Sequence, residues 1–376
     1  MSSCFFWMKY YFQFVDDKKQ NTIFVTMQKL RYLLFPITIV YIIITMFRNW
    51  LYKVNVKRSF KFSIPVINIG NLSMGGTGKT PHTEYLIKLL KGTHHLATLS
   101  RGYGRKEFGF KIADEKTTSK QIGDEPLQFY KKFGSEITVA VESDRVKGVM
   151  DICYQKEEID LVLLDDAFQH RSIQPGFNIL LTDYSHPFYN DYVLPVGDLR
   201  ELRHGKGRAD IIIMTKCPSF ENLNRTDIIQ KIKPNSNQSV FFSKVIYGDV
   251  YEFNTFETVN LTKKNIILVT GIAKPNPLLN YLKKSYNVLE HCKFADHYRF
   301  KEKDIDDISN LLIKFAELDP IIITTEKDAM RLIGCEFEVK VKQQPWFYQS
   351  ITVALDDKGK FDKLILDYVQ ENRRDY

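Results

Sequence analysis

The run Gly75-Gly76-Thr77-Gly78-Lys79-Thr80 has the residue types and order needed to hold a polyphosphate. Glycines let backbone N–H groups converge on an anion, and a helix starting directly behind them adds the positive end of its dipole. In such a loop Lys79 is placed to reach the β- and γ-phosphates of ATP, and the Thr80 hydroxyl to ligand Mg2+. The loop is a candidate only between a strand and a helix, and both are expected: an apolar run over 64–69 before it, a helical stretch from 81 to about 91 after it. One departure is Ser73, which stands where such loops usually carry their first glycine; the glycines at 75, 76 and 78 can still supply the tight turn.

A second chemical element is Leu161-Val162-Leu163-Leu164-Asp165-Asp166, an apolar strand ending in two carboxylates. Beside a phosphate loop, such a strand end holds Mg2+ directly or through water, although acidic strand ends also cap helices. Three further sites stay open on residue chemistry alone. Asp124, before Glu125-Pro126, is a natural helix N-cap as well as a candidate catalytic carboxylate. Arg145 fits either a contact to transferring phosphate charge or a surface ion pair. His297, in Asp296-His297, is either structural or catalytic.

The elements that must position these residues read as an α/β protein. From residue 62 onward short β-rich runs alternate with helical stretches, which predicts a parallel sheet with helices on its faces. Further strands are expected over 96–100, 138–141, 161–164, 179–182 and 211–215, several of them continuous apolar runs of the kind covered on both faces. The chain turns polar at 233–238, reads as an extended pair or linker over 240–250, and resumes with strands at 265–270 and 321–325. The expected organisation is a possible N-terminal extension (1–26), a basic and hydrophobic segment (27–61), a P-loop core (62–238), a β linker (239–264) and a C-terminal α/β lobe (265–376).

Charge is unevenly distributed. Residues 1–61 hold ten basic side chains against Asp16 and Asp17, an excess of eight that equals the net charge of the whole 376-residue chain. Within that end, 32–47 is apolar and bracketed by Arg31 and Arg48. A helix of that length reaches about 24 Å, short of the roughly 30 Å hydrocarbon core, so it lies in one leaflet or spans with help from Leu30 and Trp50-Leu51-Tyr52. Flanking cations and aromatics favour a membrane surface over a buried core helix, and over nucleic acid as the anionic partner. No small-residue cleavage site follows, and Met27 is a candidate start. The five cysteines lie far apart without a CxxC pair, which argues against a disulfide framework or zinc site and suits a reducing cytoplasm.

Taken together, these segments resemble the tetraacyldisaccharide 4'-kinase (lipid A 4'-kinase) family. The resemblance rests on Val66-Ile67-Asn68-Ile69-Gly70-Asn71-Leu72 leading into the phosphate loop, Leu99-Ser100-Arg101-Gly102-Tyr103-Gly104-Arg105, Gly123-Asp124-Glu125-Pro126 and Asp144-Arg145. It continues with Asp165-Asp166-Ala167-Phe168-Gln169-His170-Arg171, Leu194-Pro195, Leu199-Arg200-Glu201, Ala209-Asp210, Thr215-Lys216, Thr270-Gly271-Ile272-Ala273, Asp296-His297-Tyr298 and Thr324-Thr325-Glu326-Lys327-Asp328. Ala167 stands where the family usually has glycine. The resemblance implies transfer of the γ-phosphoryl group of ATP to the 4'-hydroxyl of a tetraacylated glucosamine disaccharide 1-phosphate, a lipid A precursor, at the cytoplasmic face of the inner membrane. It also implies a P-loop-type parallel-sheet domain, a smaller α/β lobe joined by a β linker, ATP in the cleft, and an N-terminal hydrophobic helix touching the bilayer. Carried over, Asp124 becomes the general base working with His297, Glu125, Asp165 and Asp166 become metal-linked or catalytic acids, and Arg145 contacts phosphate charge. On that reading, closure of the second lobe delivers His297.

Three rivals differ in class. A GTPase switch would carry Asn-Lys-x-Asp after a strand, whereas the comparable place reads Thr215-Lys216-Cys217-Pro218; the dimeric ATPases carry a lysine before the paired glycines, where this chain has Met74. A membrane-tethered ATP-binding scaffold would leave the carboxylates and His297 without a purpose. A kinase for another lipid or sugar shares every feature except the acceptor. The sequence leaves the oligomeric state open.

Overall fold

The computed structural model describes residues 31–261 and 265–372. The expected extension 1–26, Met27, Leu30, and the last three residues of the expected linker lie outside the described residues. Among the described residues there are thirteen strands: β1 (Val66–Asn71), β2 (Leu96–Ser100), β3 (Lys111–Ile112), β4 (Thr138–Val141), β5 (Leu161–Asp165), β6 (Phe177–Asp183), β7 (Ile211–Thr215), β8 (Ser239–Glu252), β9 (Thr258–Val259), β10 (Asn265–Thr270), β11 (Asn287–Lys293), β12 (Ile321–Thr325) and β13 (Trp346–Leu355). They form one sheet in the order β11-β10-β12-β13-β8-β7-β6-β1-β5-β2-β4-β3, with β9 added beside β8.

Every pairing from β4 across to β7 is parallel, as is every pairing from β13 to β11. The two parallel blocks meet at β8. Its first residues, Ser239 to Phe242, pair parallel with β7, and from Ser243 onward it pairs antiparallel with β13. What reads in sequence as an extended pair or linker is thus a single 14-residue strand shared by both blocks.

The central strands are buried on both faces, which is why their sequences are unbroken apolar runs. On one face Leu86, Ile87 and Leu90 of helix Lys79–Leu90 pack with Phe129 and Phe133 of helix Asp124–Phe133 and with Ile365 of helix Lys358–Glu371. Val146, Val149 and Ile152 of helix Arg145–Gln155 cover the other face. A separate core joins Ile122, Leu127 and Val141 from the first block to Ile267, Met330, Leu332 and Trp346 from the second, so the start of helix Asp124–Phe133 is packed against both.

The N-terminal helix Phe35–Lys53, entered by a 3-10 turn at Tyr32–Leu34, continues through the aromatic tail. The stretch Tyr32–Lys53 is long and apolar enough to cross a membrane. Its polarity is inverted relative to a soluble surface helix: Ile37, Ile43, Ile44, Phe47 and Trp50 face outward, and the one buried residue is Thr38. The polar stripe grips the protein body. Arg31 donates to Pro195 O at 3.0 Å and Gly197 O at 2.9 Å, Thr38 Oγ1 accepts from Val196 N, Tyr41 Oη donates to Arg200 O at 3.0 Å, and Arg48 donates to Gln169 O at 2.7 Å.

Candidate active site

The phosphate loop leaves β1 at Asn71 and enters its helix at Lys79, two residues before the expected start, with Pro81 tolerated in the first turn. Gly75 and Gly78 carry φ of 100° and 89°, the left-handed region that only glycine adopts freely. Ser73 needs no such freedom. It is bridged to Leu199, and Met74 N donates to Asp198 O at 2.7 Å, so the chain there is extended and tethered. A Cβ added at Gly75 or Gly76 would meet nothing within 4 Å, so the loop borders open space.

Behind the loop its carbonyls are occupied. Thr77 N donates to Gly75 O, Lys216 Nζ donates to Gly76 O, Thr215 Oγ1 donates to Thr77 O at 2.8 Å, and His82 Nδ1 donates to Gly78 O at 2.7 Å. Burial pushes His82 down to about 4, so its ring is neutral.

Lys79 Nζ lies 3.6 Å from Asp166 Oδ2, and Arg200 clamps the same carboxylate through both terminal nitrogens at 2.9 and 3.1 Å. Burial works against ionisation of Asp166, but Lys79 and Arg200 win and hold its carboxyl below the usual range. Asp165 is in the opposite position. At the end of β5 it is buried, and desolvation with the nearby Glu125 charge pushes it up to about 7 against the pull of Lys79. Its Oδ1 is buried without a hydrogen-bond partner.

Arg145 is not a surface ion pair. It is 2% exposed, and its guanidinium donates to Glu142 O at 3.0 Å, Ser143 O at 2.9 Å and, more loosely, the carbonyls of Asp165 and Asp166. It braces the end of β5 from behind.

Across from this group stands Asp124. It is the first residue of its helix rather than its N-cap, because Gly123 at φ 94° takes the cap position. Its Oδ2 accepts from Arg331 Nε at 2.7 Å and lies 3.9 Å from His297 Nδ1. Burial raises the Asp124 carboxyl, but His297 and Arg331 outweigh it and hold it below its ordinary value. Arg331 is fixed in turn by Asp328 and Gly271 O. His297 sits at φ 55° with Tyr103 edge-on at 5.4 Å and Lys327 Nζ 3.3 Å from its Nε2; Lys327 also donates to Glu125 at 3.2 Å.

Under the site lies a buried ionic group. Lys132 Nζ reaches Glu84 at 2.6 Å and Glu326 at 2.7 Å, joining the helix behind the phosphate loop, the helix of Asp124 and helix Glu326–Leu332, which carries Arg331. Burial and the Glu84 charge push Glu326 up to about 7. The folded protein therefore holds a proton on Glu326 between its ordinary 4.5 and about 7 that the unfolded chain releases, so stability falls as pH rises through that window. Glu326→Gln is expected to melt higher than wild type at pH 8, with the gap narrowing at pH 5, in melting curves recorded at both pH values.

The structure brings together Lys79, Asp165, Asp166, Glu125, Asp124 and His297, with Thr80 in the first turn of the loop helix. Roles that residue chemistry did not suggest fall to Arg200, Lys327, Arg331 and His82. The first two lie inside motifs already noted, but Arg331 and His82 carry no signal beyond residue type. Among the described residues no group of three or more His, Cys, Asp or Glu side chains forms a cage for a metal ion.

A family profile described as LpxK, tetraacyldisaccharide-1-P 4'-kinase, matches residues 30–370. The chain is 42% identical over 358 residues to the tetraacyldisaccharide 4'-kinase of Bacteroides thetaiotaomicron, covering 91% of this chain and 94% of the relative. It is 43% identical over 352 residues to that of Flavobacterium psychrophilum, covering 92% and 99%. Among solved structures, LpxK from Aquifex aeolicus in complex with ATP is similar with a TM-score of 0.72 at 29% identity, over 90% of this chain and 99% of that one.

Proposed function

The chain belongs to the tetraacyldisaccharide-1-P 4'-kinase family, and from that premise we propose how its side chains move a phosphoryl group. It is an ATP-dependent kinase that phosphorylates the 4'-hydroxyl of a tetraacyldisaccharide 1-phosphate, a lipid A precursor. The observation that carries the mechanism is the pairing of opposites: a phosphate loop with Lys79 and buried acids on one side, and an ionised Asp124 held by Arg331 and His297 on the other.

Lys79 leaves Asp166 to meet the phosphates, and Arg200 keeps that carboxylate in place when it does. The acceptor hydroxyl forms its bond to the γ-phosphorus as the bond to the β–γ bridging oxygen breaks, and its proton passes to Asp124. His297 orients Asp124, and Lys327 with Arg331 surrounds the pair with positive charge. Arg145 acts through the strand end that it braces.

Mg2+ fits this site. The Thr80 hydroxyl and the unpartnered buried oxygen of Asp165 would hold it, while Glu125 and Asp166 are occupied by Lys327 and Arg200. When bound, the ion neutralises charge on the β- and γ-phosphate oxygens.

The N-terminal helix is read as lying on the cytoplasmic membrane surface rather than crossing it. Its contacts run from Arg31 to Asn49, along about 27 Å of axis at ~1.5 Å per residue, so a perpendicular helix would carry the protein body into the lipid. Outward apolar residues and inward polar ones suit that orientation.

Detergent-solubilised protein incubated with γ-labelled ATP and the lipid disaccharide 1-phosphate should place label on the lipid. Slow phosphate release with no labelled lipid would sink the reading. Lys79→Ala should reduce transfer by about 10²-fold or more in the same assay.

A further inference from the structure

We propose that His82 is a positioning residue for ATP, acting as a rigid peg between Ser243 and the carbonyl of Gly78 that keeps the phosphate loop's N–H groups turned toward the nucleotide. The inference rests on the ATP-binding reading of the loop. A peptide that offers its N–H to an anion must direct its C=O the other way, and that buried oxygen then needs a donor. At Gly78 the short bond comes from the His82 ring, beside a longer helical bond from His82 N at 3.4 Å. Its Nδ1 lies 2.7 Å from Gly78 O and its Nε2 lies 2.9 Å from Ser243 Oγ, with the ring 5% exposed. A carbonyl only accepts, so the proton resides on Nδ1, and Nε2 must accept from the Ser243 hydroxyl. Both ring nitrogens are thereby committed, which fixes the tautomer and the ring plane together.

The neighbouring peptide is held in the same manner by Thr215 Oγ1 on Thr77 O. His82 differs in what stands behind it. Ser243 is fully buried on β8, immediately after the residue where that strand leaves β7 and takes up β13. The peg therefore ties the turn before Lys79 to the seam between the two parallel blocks. Gly78 itself is left-handed and glycine-flexible, so without the ring only the long 3.4 Å bond from His82 N opposes rotation of the peptide.

The test separates the two ring nitrogens in full-length protein. Asparagine can present an amide N–H near the position of Nδ1, whereas glutamine reaches the position of Nε2 and leaves Gly78 O with only the longer backbone bond from residue 82, 3.4 Å in this structure. His82→Gln is expected to raise both KM and Kd for ATP by about tenfold, and His82→Asn by no more than about threefold, with KM for the lipid unmoved in both. Ser243→Ala, which leaves the ring but frees its plane, should raise Kd for ATP by about threefold; it serves if either histidine variant does not fold. Equal impairment of the Asn and Gln variants, wild-type ATP affinity in His82→Gln, or unchanged Kd in Ser243→Ala would overturn the proposal. Failure of the wild-type protein to bind ATP would instead overturn the reading of the loop.

Discussion

Asp124→Ala is expected to leave the Kd for ATP within about twofold of wild type while kcat falls by about 10²–10⁴-fold, the usual contribution of a positioned proton acceptor. Asp124 lies across from the phosphate loop and bonds to Arg331 and His297, so its loss removes nothing from the nucleotide. Its carboxyl is held below the ordinary range, so it is ionised throughout the working pH range but is a weak base. That is tolerable for phosphoryl transfer, whose transition state is loose and places little demand on early proton removal. Asp124 therefore aligns the hydroxyl and takes the proton late. Asp124→Asn keeps the shape but cannot accept a proton, and should lose as much turnover as alanine. Isothermal titration with ATP and steady-state kinetics on both substrates check the pair, and wild-type turnover in either variant would remove Asp124 from the mechanism.

The largest loss of stability is expected from Lys132→Met. Lys132 is the cation between Glu84 and Glu326, both almost fully buried, and removing one partner of such a group strands the others in low dielectric. Breaking a buried ion pair in this way costs about 3–5 kcal/mol, a fall of about 4–6 °C in melting temperature for a protein of this size. Lowering the pH should recover part of the loss, because Glu326, already pushed up to about 7, then protonates and removes one stranded charge. A melting temperature within about 1 °C (roughly 1 kcal/mol) of wild type at pH 8 would show that the two carboxylates need no counter-ion. Helices from both blocks meet at Lys132, so ATP-independent packing and catalytic geometry should be lost together.

The strands at 96–100, 138–141, 211–215, 265–270 and 321–325 are found where the sequence puts them, because doubly covered strands must be unbroken apolar runs. β11 escaped notice as an edge strand laced with Glu290, His291 and Lys293, and β13 because Gln349 and Ser350 interrupt its aromatic pattern. The phosphate loop and the acidic strand end were legible because local order alone builds them. Arg331 was not: it lies 207 residues from Asp124, and only the shared core around Leu127 and Met330 brings the two together. The carbonyl contacts of Arg145 were not legible either, since an arginine braced on carbonyls looks in sequence the same as one aimed at phosphate.

β8 also determines the mechanics of the molecule. It pairs first with β7 and then with β13, with one register shift between Gln349 and Ile351, so a single strand joins the blocks, and Asp124 already faces His297. A swinging hinge would have to tear ladder bonds, whereas a few degrees of added twist per strand would not. The strand behaves as a torsion bar. Opening for nucleotide exchange should accordingly be shallow and elastic, and an inhibitor that wedges the blocks wide apart would be working against the strand that both share.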